Sequence, residues 1–131
     1  MAGDPGARQG FRILVVEDDP DDARVTFRAL RRSGRFDPTH VKSGAEALEA
    51  TSKGEPFDVG LVDYRLPDMS GIELVRRLRA QGLKAPLVML SSVESDAIVE
   101  RAMAAGATDF LVKHLTYADR LEAELDRFLE G

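Results

Sequence analysis

Several apolar runs in this chain stop at residues that have chemistry to offer. After ILVV (13–16) come Glu17, Asp18 and Asp19; after GLV (60–62) comes Asp63; after LVML (87–90) come Ser91 and Ser92; after FLV (110–112) comes Lys113. Singly, most have a plain structural reading. Asp63 could cap the turn that Pro67, Asp68 and Gly71 announce, and Asp19 or Ser91 could cap a helix. A cap does not account for Lys113. Together the residues make chemical sense: carboxylates converging on one point repel one another and call for a cation. Mg²⁺ prefers oxygen ligands and usually takes one or two carboxylates plus a phosphate. With charge neutralised in that way, one carboxylate can attack phosphorus and form an aspartyl phosphate. Lys113 then pairs with a phosphoryl oxygen as a point charge, and the Ser91 hydroxyl donates to another. Phosphoryl transfer asks mostly for positioning and electrostatics, so a set this small suffices.

Such a set works only if the elements before it deliver it to one edge. Strand candidates fall at 12–16, 38–41, 59–62, 86–90 and 109–112. Amphipathic segments lie between and after them. Ala23, Phe27 and Leu30 share a helix face, as do Ile72, Val75 and Leu78, and Leu121, Leu125 and Phe128. Ala45, Leu48 and Thr51 give a weaker second helix, and Ile98, Ala102 and Ala105 a fourth. Gly34, Gly54 and Gly82 stand where the first three helices should stop; Ser95 and Thr116 stand as N-terminal caps for the last two. Alternating strands and helices, with strands that are continuously apolar, predict an open α/β fold. It is a doubly wound parallel sheet with helices on both faces. In such sheets ligands bind outside the carboxyl ends of the strands, which is where the acids, the hydroxyl and the lysine fall.

Composition narrows the classes of function. With 131 residues, 44% hydrophobic and 31% charged, the chain suits one globular domain. The absence of Cys excludes a disulfide framework and thiolate metal sites, and His40 and His114 have no zinc-like spacing. No apolar run approaches the ~20 residues of a membrane span, and MAGDPGARQG lacks the basic-then-apolar order of a signal peptide. The expected location is the cytoplasm. A net charge of −5 disfavours a nucleic-acid footprint, and Arg28, Arg31, Arg32 and Arg35 read as a solvated helix face. Neither a GxxxxGK[ST] loop nor a GxGxxG after the first strand is present.

The elements ILVVEDD, LVDYRLPDMSG, VMLSS and GATDFLVK, in this order and spacing, resemble the receiver domain of two-component response regulators. The likeness runs from about 11 to 128. It implies a flavodoxin-like five-stranded sheet of order 2-1-3-4-5. It also implies one receiver domain over 11–131, after a flexible lead at 1–10, with no output domain in the chain. Under this resemblance Glu17 and Asp18 form the acidic pair and Asp63 is the phosphoacceptor. Ser91 is the switch hydroxyl, Phe110 the aromatic switch and Lys113 the phosphate-contacting lysine. Mg²⁺ sits at Glu17, Asp18 and Asp63, with the backbone carbonyl of Arg65 as a further ligand; Asp19 is a helix-entry residue. The implied partners are a histidine kinase or phosphotransfer protein upstream. Downstream stands a protein, or a second copy, on the face made by helix four, strand five and helix five, roughly 95–129. Self-catalysed phosphorylation and hydrolysis belong to such a switch, which is not a turnover enzyme.

Two positions depart from the family pattern. The family usually has proline after its lysine, where this chain has His114, and Phe110 stands where tyrosine is common. The Arg65 side chain is open between pairing with phosphate, tuning attacking water and lying in solvent. Two other readings use the same residues. A pseudo-receiver keeps the fold as a binding module but normally lacks an acid or the lysine, all of which are present here. A phosphatase of the haloacid dehalogenase type also uses an Asp nucleophile with Mg²⁺, but generally has a second acid two residues on, where this chain has Arg65.

Overall fold

The structure, a computed structural model, describes residues 10–54, 56–113 and 117–129. Strands and helices alternate along the chain: β1 (Phe11–Val16), α1 (Pro20–Arg31), β2 (Phe36–Val41), α2 (Gly44–Ser52) and β3 (Val59–Asp63) are followed by α3 (Gly71–Ala80), β4 (Leu87–Ser91), α4 (Asp96–Ala105), β5 (Asp109–Val112) and α5 (Tyr117–Leu129). All strand pairs are parallel and their order is β2-β1-β3-β4-β5. The order reverses direction at β1 and β3, so the crevice of this doubly wound sheet opens between their carboxyl ends.

Period-two alternation divides the strand side chains between two cores. Ile13, Val15, Leu61, Val88 and Leu90 pack with Leu30, Leu121 and Leu125 of α1 and α5. Leu14, Val16, Val62 and Met89 pack on the other face with Ile72, Val75 and Leu78 of α3 and with Ala47 and Ala102 of α2 and α4. Each large side chain removed from water in this way contributes roughly 1.5–3 kcal/mol. Among the described residues no helix is long and apolar enough to cross a membrane.

Local chemistry sets most boundaries. Asp19 caps α1, its carboxylate accepting from the backbone N–H groups of Asp21 and Asp22, as a helix-entry residue should. Ser43 and Ser70 cap α2 and α3 through their hydroxyls, which the sequence reading did not single out. Ser95 holds the cap position of α4 but its side chain makes no capping bond. Thr116 lies outside the described residues. Gly34, Gly54 and Gly82 follow the first three helices with positive φ, as expected.

Five expectations need correction. β2 starts at Phe36, two residues before its expected start, because Phe36 and Asp37 continue the register opposite Phe11 and Arg12. Pro38 fits inside it because β2 is an edge strand with β1 on one side only. β4 runs to Ser91, whose partner is Val112, and β3 runs to Asp63, whose partner is Leu90. The site residues are therefore the last rungs of strands. In α2, Ala45 faces solvent, and Ala47 takes the buried position. Finally, Arg35 is not part of a solvated helix face. It lies past α1, half-buried, and pairs with Glu122 at 2.7 Å and Asp126 at 2.5 Å on α5.

One glycine bears directly on the edge of the sheet. Gly71 starts α3 with its N–H donating to the Tyr64 carbonyl at 2.7 Å, and a Cβ there would stand 2.3 Å from the Asp63 carbonyl oxygen. The neighbour is backbone, so the loop between β3 and α3 must move if a side chain is added. Gly71→Ala is expected to cost roughly 1–3 kcal/mol by overpacking and to shift the amide signals of Asp63 and Tyr64. Urea unfolding and amide NMR check this, and an unchanged midpoint would contradict the close approach.

Candidate functional site

Glu17 follows β1 and is fastened at several points. Its N–H donates to the Val41 carbonyl at 3.0 Å, and its carbonyl accepts from His40 Nε2 at 2.6 Å. Its carboxylate accepts from the Asp19 N–H at 3.3 Å, and the residue is only 2% exposed. Asp63 ends β3, and the ladder continues past it where the Tyr64 N–H meets the Leu90 carbonyl at 2.8 Å. Lys113 follows β5, with its N–H on the Ser91 carbonyl at 2.7 Å. Parallel pairing thus brings residues far apart in the chain to one edge, with their backbones already bonded.

At that edge three carboxylates share one ammonium. Lys113 Nζ lies 2.7 Å from Glu17 Oε1, 2.8 Å from Asp22 Oδ2 and 3.0 Å from Asp63 Oδ1. The side chains of Lys113, Glu17 and Asp63 are 8%, 2% and 10% exposed, so these charges meet largely out of water. Burial pushes the Glu17 carboxyl up to about 7, against the opposing pull of Lys113. Asp63 is also raised, again chiefly by burial and against Lys113. Burial works against the Lys113 charge, but hydrogen bonds to Asp22 and Glu17 and the Asp63 charge outweigh it and hold its pKa above the ordinary lysine value.

Glu17, Asp18 and Asp63 each offer a carboxylate oxygen, and these atoms lie within 4.8 Å of one another. They border a cleft of about 450 Å³, also lined by Asp19, Asp22, Tyr64, Arg65, Ser91, Ser92 and Lys113. Asp18 is exposed and reaches it from the solvent side. An all-oxygen set with water access fits a hard divalent cation such as Mg²⁺.

The sequence-predicted residues divide into those brought together and those placed elsewhere. Glu17, Asp18, Asp63, Ser91, Arg65 and Lys113 all line the cleft. Arg65 is exposed on the loop after β3, where its backbone bridges to Ser70. The Ser91 hydroxyl is turned into its own loop, donating to the Val93 carbonyl at 2.9 Å and accepting from the Val93 N–H at 3.0 Å. Phe110 does not reach the cleft. It packs against the α2–α4 core and lines a separate cavity of about 290 Å³ with Glu94, Leu111, Val112, Tyr117 and Arg120. His114 lies outside the described residues, as does the peptide that joins it to Lys113. Asp22 is the site residue that sequence reasoning missed. Its available signal was an acid in the first turn of a helix that begins at the site edge, since helical Cα–Cβ bonds tilt towards the N-terminus.

Burial of these acids gives the domain a pH dependence whose sign follows from linkage. Burial pushes the folded Glu17 carboxyl up to about 7, whereas an unperturbed glutamate titrates at 4.5, so between these values the folded state binds more protons than the unfolded one. Stability therefore falls as pH rises through this window, and raised Asp63 acts in the same sense. The Lys113 contribution is fully present throughout, because even its unperturbed value of 10.5 lies above the window. In a chelating buffer the urea midpoint is expected to be higher at about pH 5.5 than at about pH 8. Glu17→Gln should remove much of the difference, and a midpoint that rises with pH in wild type alone would contradict it.

Comparison with known proteins agrees with this geometry. The family model for the response regulator receiver domain matches residues 13–126. A chemotaxis protein CheY homolog of Campylobacter jejuni is 32% identical over 108 residues, covering 81% of this chain and 83% of its own. The two-component response regulator ORR3 of Oryza sativa is 35% identical over 109 residues, with 82% of each chain covered. Among solved structures, the receiver domain of the sensor histidine kinase PA1611 from Pseudomonas aeruginosa PAO1 carries a magnesium ion coordinated in its active site cleft. It matches with a TM-score of 0.83 at 30% identity, over 93% of this chain and 99% of that one. The matched span runs from the second rung of β1's buried face to the last turns of α5 and takes in every carboxylate and the lysine of the cleft, so this chain belongs to the response regulator receiver domain family.

Proposed function

We propose that the domain is a phosphorelay switch that accepts a phosphoryl group on Asp63 from a histidine kinase or phosphotransfer protein. The observation that carries this reading is the convergence of Glu17, Asp18 and Asp63 within 4.8 Å, with the Lys113 ammonium 3.0 Å from the Asp63 carboxylate, in an open cleft. Glu17, Asp18 and Asp63 would hold Mg²⁺, with the Arg65 carbonyl as a further ligand. The cation would neutralise the crowded acids and screen the phosphoryl charge. The magnesium-bearing relative supports that choice of metal.

An Asp63 oxygen attacks phosphorus while the bond from phosphorus to the donor breaks, and the leaving group departs with its electron pair. The product is a mixed anhydride in which Asp63 no longer carries a carboxylate charge. Lys113 then transfers its 3.0 Å contact to a phosphoryl oxygen, placing a fixed positive charge where negative charge accumulates. Water attack on phosphorus later restores the carboxylate and releases phosphate. This is acceptance and self-hydrolysis, not turnover of a substrate pool.

Output follows from the Ser91 hydroxyl exchanging its Val93 bonds for a phosphoryl oxygen. Helix α4 suits a moving part: Ala102 is its buried residue, and its N-terminal cap lacks a side-chain bond. The cavity beside Phe110 gives that ring room to follow. A phenylalanine has no hydroxyl to fix it in either place, so its two positions differ less in energy than a tyrosine's would. The surface offered to a downstream protein or a second copy is the α4–β5–α5 face.

Acetyl phosphate with Mg²⁺ is expected to add one phosphoryl group by intact mass, and chelation or Asp63→Asn should abolish it. Persistent labelling of Asp63→Asn would contradict the acceptor assignment. Amide exchange should change across 95–129 on phosphorylation, and Ser91→Ala should suppress that change while Asp63 is still modified. A change confined to 64–70 would place the output elsewhere.

A further inference from the structure

Asp22 has no direct part in the phosphoryl transfer proposed for Asp63, yet it makes one of the three contacts to Lys113. An ammonium has three N–H donors, and the distances of 2.7, 2.8 and 3.0 Å to Glu17, Asp22 and Asp63 give each a carboxylate. The three partners do not fare alike during phosphoryl transfer. On phosphorylation Asp63 would give up its carboxylate charge, and Glu17 would be one of the residues holding the cation. Asp22 is neither the acceptor nor among the clustered carboxylates that would hold the cation, so its charge would remain available to Lys113.

That position is well supported. Asp22 lies in the first turn of α1, and its backbone N–H is held by the Asp19 carboxylate at 3.2 Å. One turn further on, the Thr26 hydroxyl bonds the Tyr117 hydroxyl at 2.8 Å, and both residues are buried. Lys113 and Tyr117, the described residues on either side of 114–116, are therefore both fastened to one face of α1. Lysine has a flexible four-carbon stem whose rotamer freedom must be restrained before its charge can be aimed.

We propose that Asp22 is a positioning residue for phosphoryl transfer at Asp63, holding the Lys113 ammonium beside the acceptor from α1. This rests on the reading of Asp63 as phosphoacceptor. Asp21 provides the control: it is an acid in the same turn, pairs with Arg24 at 3.3 Å, and has no contact with Lys113 among the described residues.

The test compares wild type, Asp22→Asn, Asp22→Glu and Asp21→Asn, all as the full chain. Phosphorylation rates are read by intact mass over a series of acetyl phosphate concentrations with Mg²⁺. Asp22→Asn is expected to lower the rate at saturating donor roughly tenfold by misplacing the charge, with little change in the half-saturating concentration. Asp22→Glu should recover most of the rate, and Asp21→Asn should match wild type. Without donor, the ¹H–¹⁵N signal of the Lys113 ammonium should be slowly exchanging in wild type and lost in Asp22→Asn. An Asp22→Asn rate equal to or above wild type would overturn the proposal, as would an equal loss in Asp21→Asn. If wild type takes up no phosphoryl group, the acceptor reading fails by itself. The ammonium signal then decides the positioning claim, and its survival in Asp22→Asn would overturn it.

Discussion

The arrangement of this domain turns on a shortage of positive charge. Glu17, Asp22 and Asp63 share a single ammonium, that of Lys113, and the two acids most deeply placed are almost out of water. Like charges a few ångströms apart repel by an amount on the order of 4 kcal/mol per pair at an effective dielectric near 20. Burial adds a desolvation penalty for each ion. The folded chain answers with the one lysine and with protons, which is why the Glu17 carboxyl is pushed up to about 7. Under the proposed function, a divalent cation would supply the positive charge that these acids lack and would offset the negative charge that a phosphoryl group on Asp63 adds.

Such crowding survives because the backbone cannot relax it. Asp63 and Ser91 are the last rungs of β3 and β4, and Glu17 and Lys113 are bonded through their N–H groups to the Val41 and Ser91 carbonyls. Gly71 lets the start of α3 close against the Asp63 carbonyl. Asp68, from the same loop, accepts from the Gly44 and Ala45 N–H groups at 2.9 Å and ties that loop to the start of α2. Rigidity is uneven, however. α3 buries Ile72, Leu74, Val75 and Leu78, whereas α4 buries Ala102. Under the proposed function, a charge change at this rigid edge would act on the less firmly held α4, which is the physical requirement of a switch.

Much of this was legible in the residues themselves. The apolar runs of β1, β3, β4 and β5 placed strands to within one residue because both faces of a parallel sheet are buried. β2 was the exception: FDPTHV is polar because it is an edge strand, and Pro38 looked like a start when it was an interior residue. The face of α2 was read wrongly at Ala45 because short small residues carry little periodicity; the buried member is Ala47. At the site, Glu17, Asp18, Asp63, Ser91 and Lys113 were readable because strand ends converge by topology alone. Asp22 was not, since a contact across 91 residues depends on how α1 lies against the segment after β5. The resting bonds of the Ser91 hydroxyl were hidden for a different reason: the local turn from Ser91 to Val93 decides them.

A crystal structure with Mg²⁺ and beryllofluoride, a tetrahedral mimic of a phosphoryl group, tests the acceptor site most directly. Beryllium is expected bonded to an Asp63 carboxylate oxygen, with the cation held by Glu17, Asp18 and Asp63 and the Lys113 ammonium on a fluoride. Beryllofluoride on another carboxylate, or a cleft that binds neither the cation nor the mimic while Lys113 stays with Glu17, Asp22 and Asp63, would contradict it.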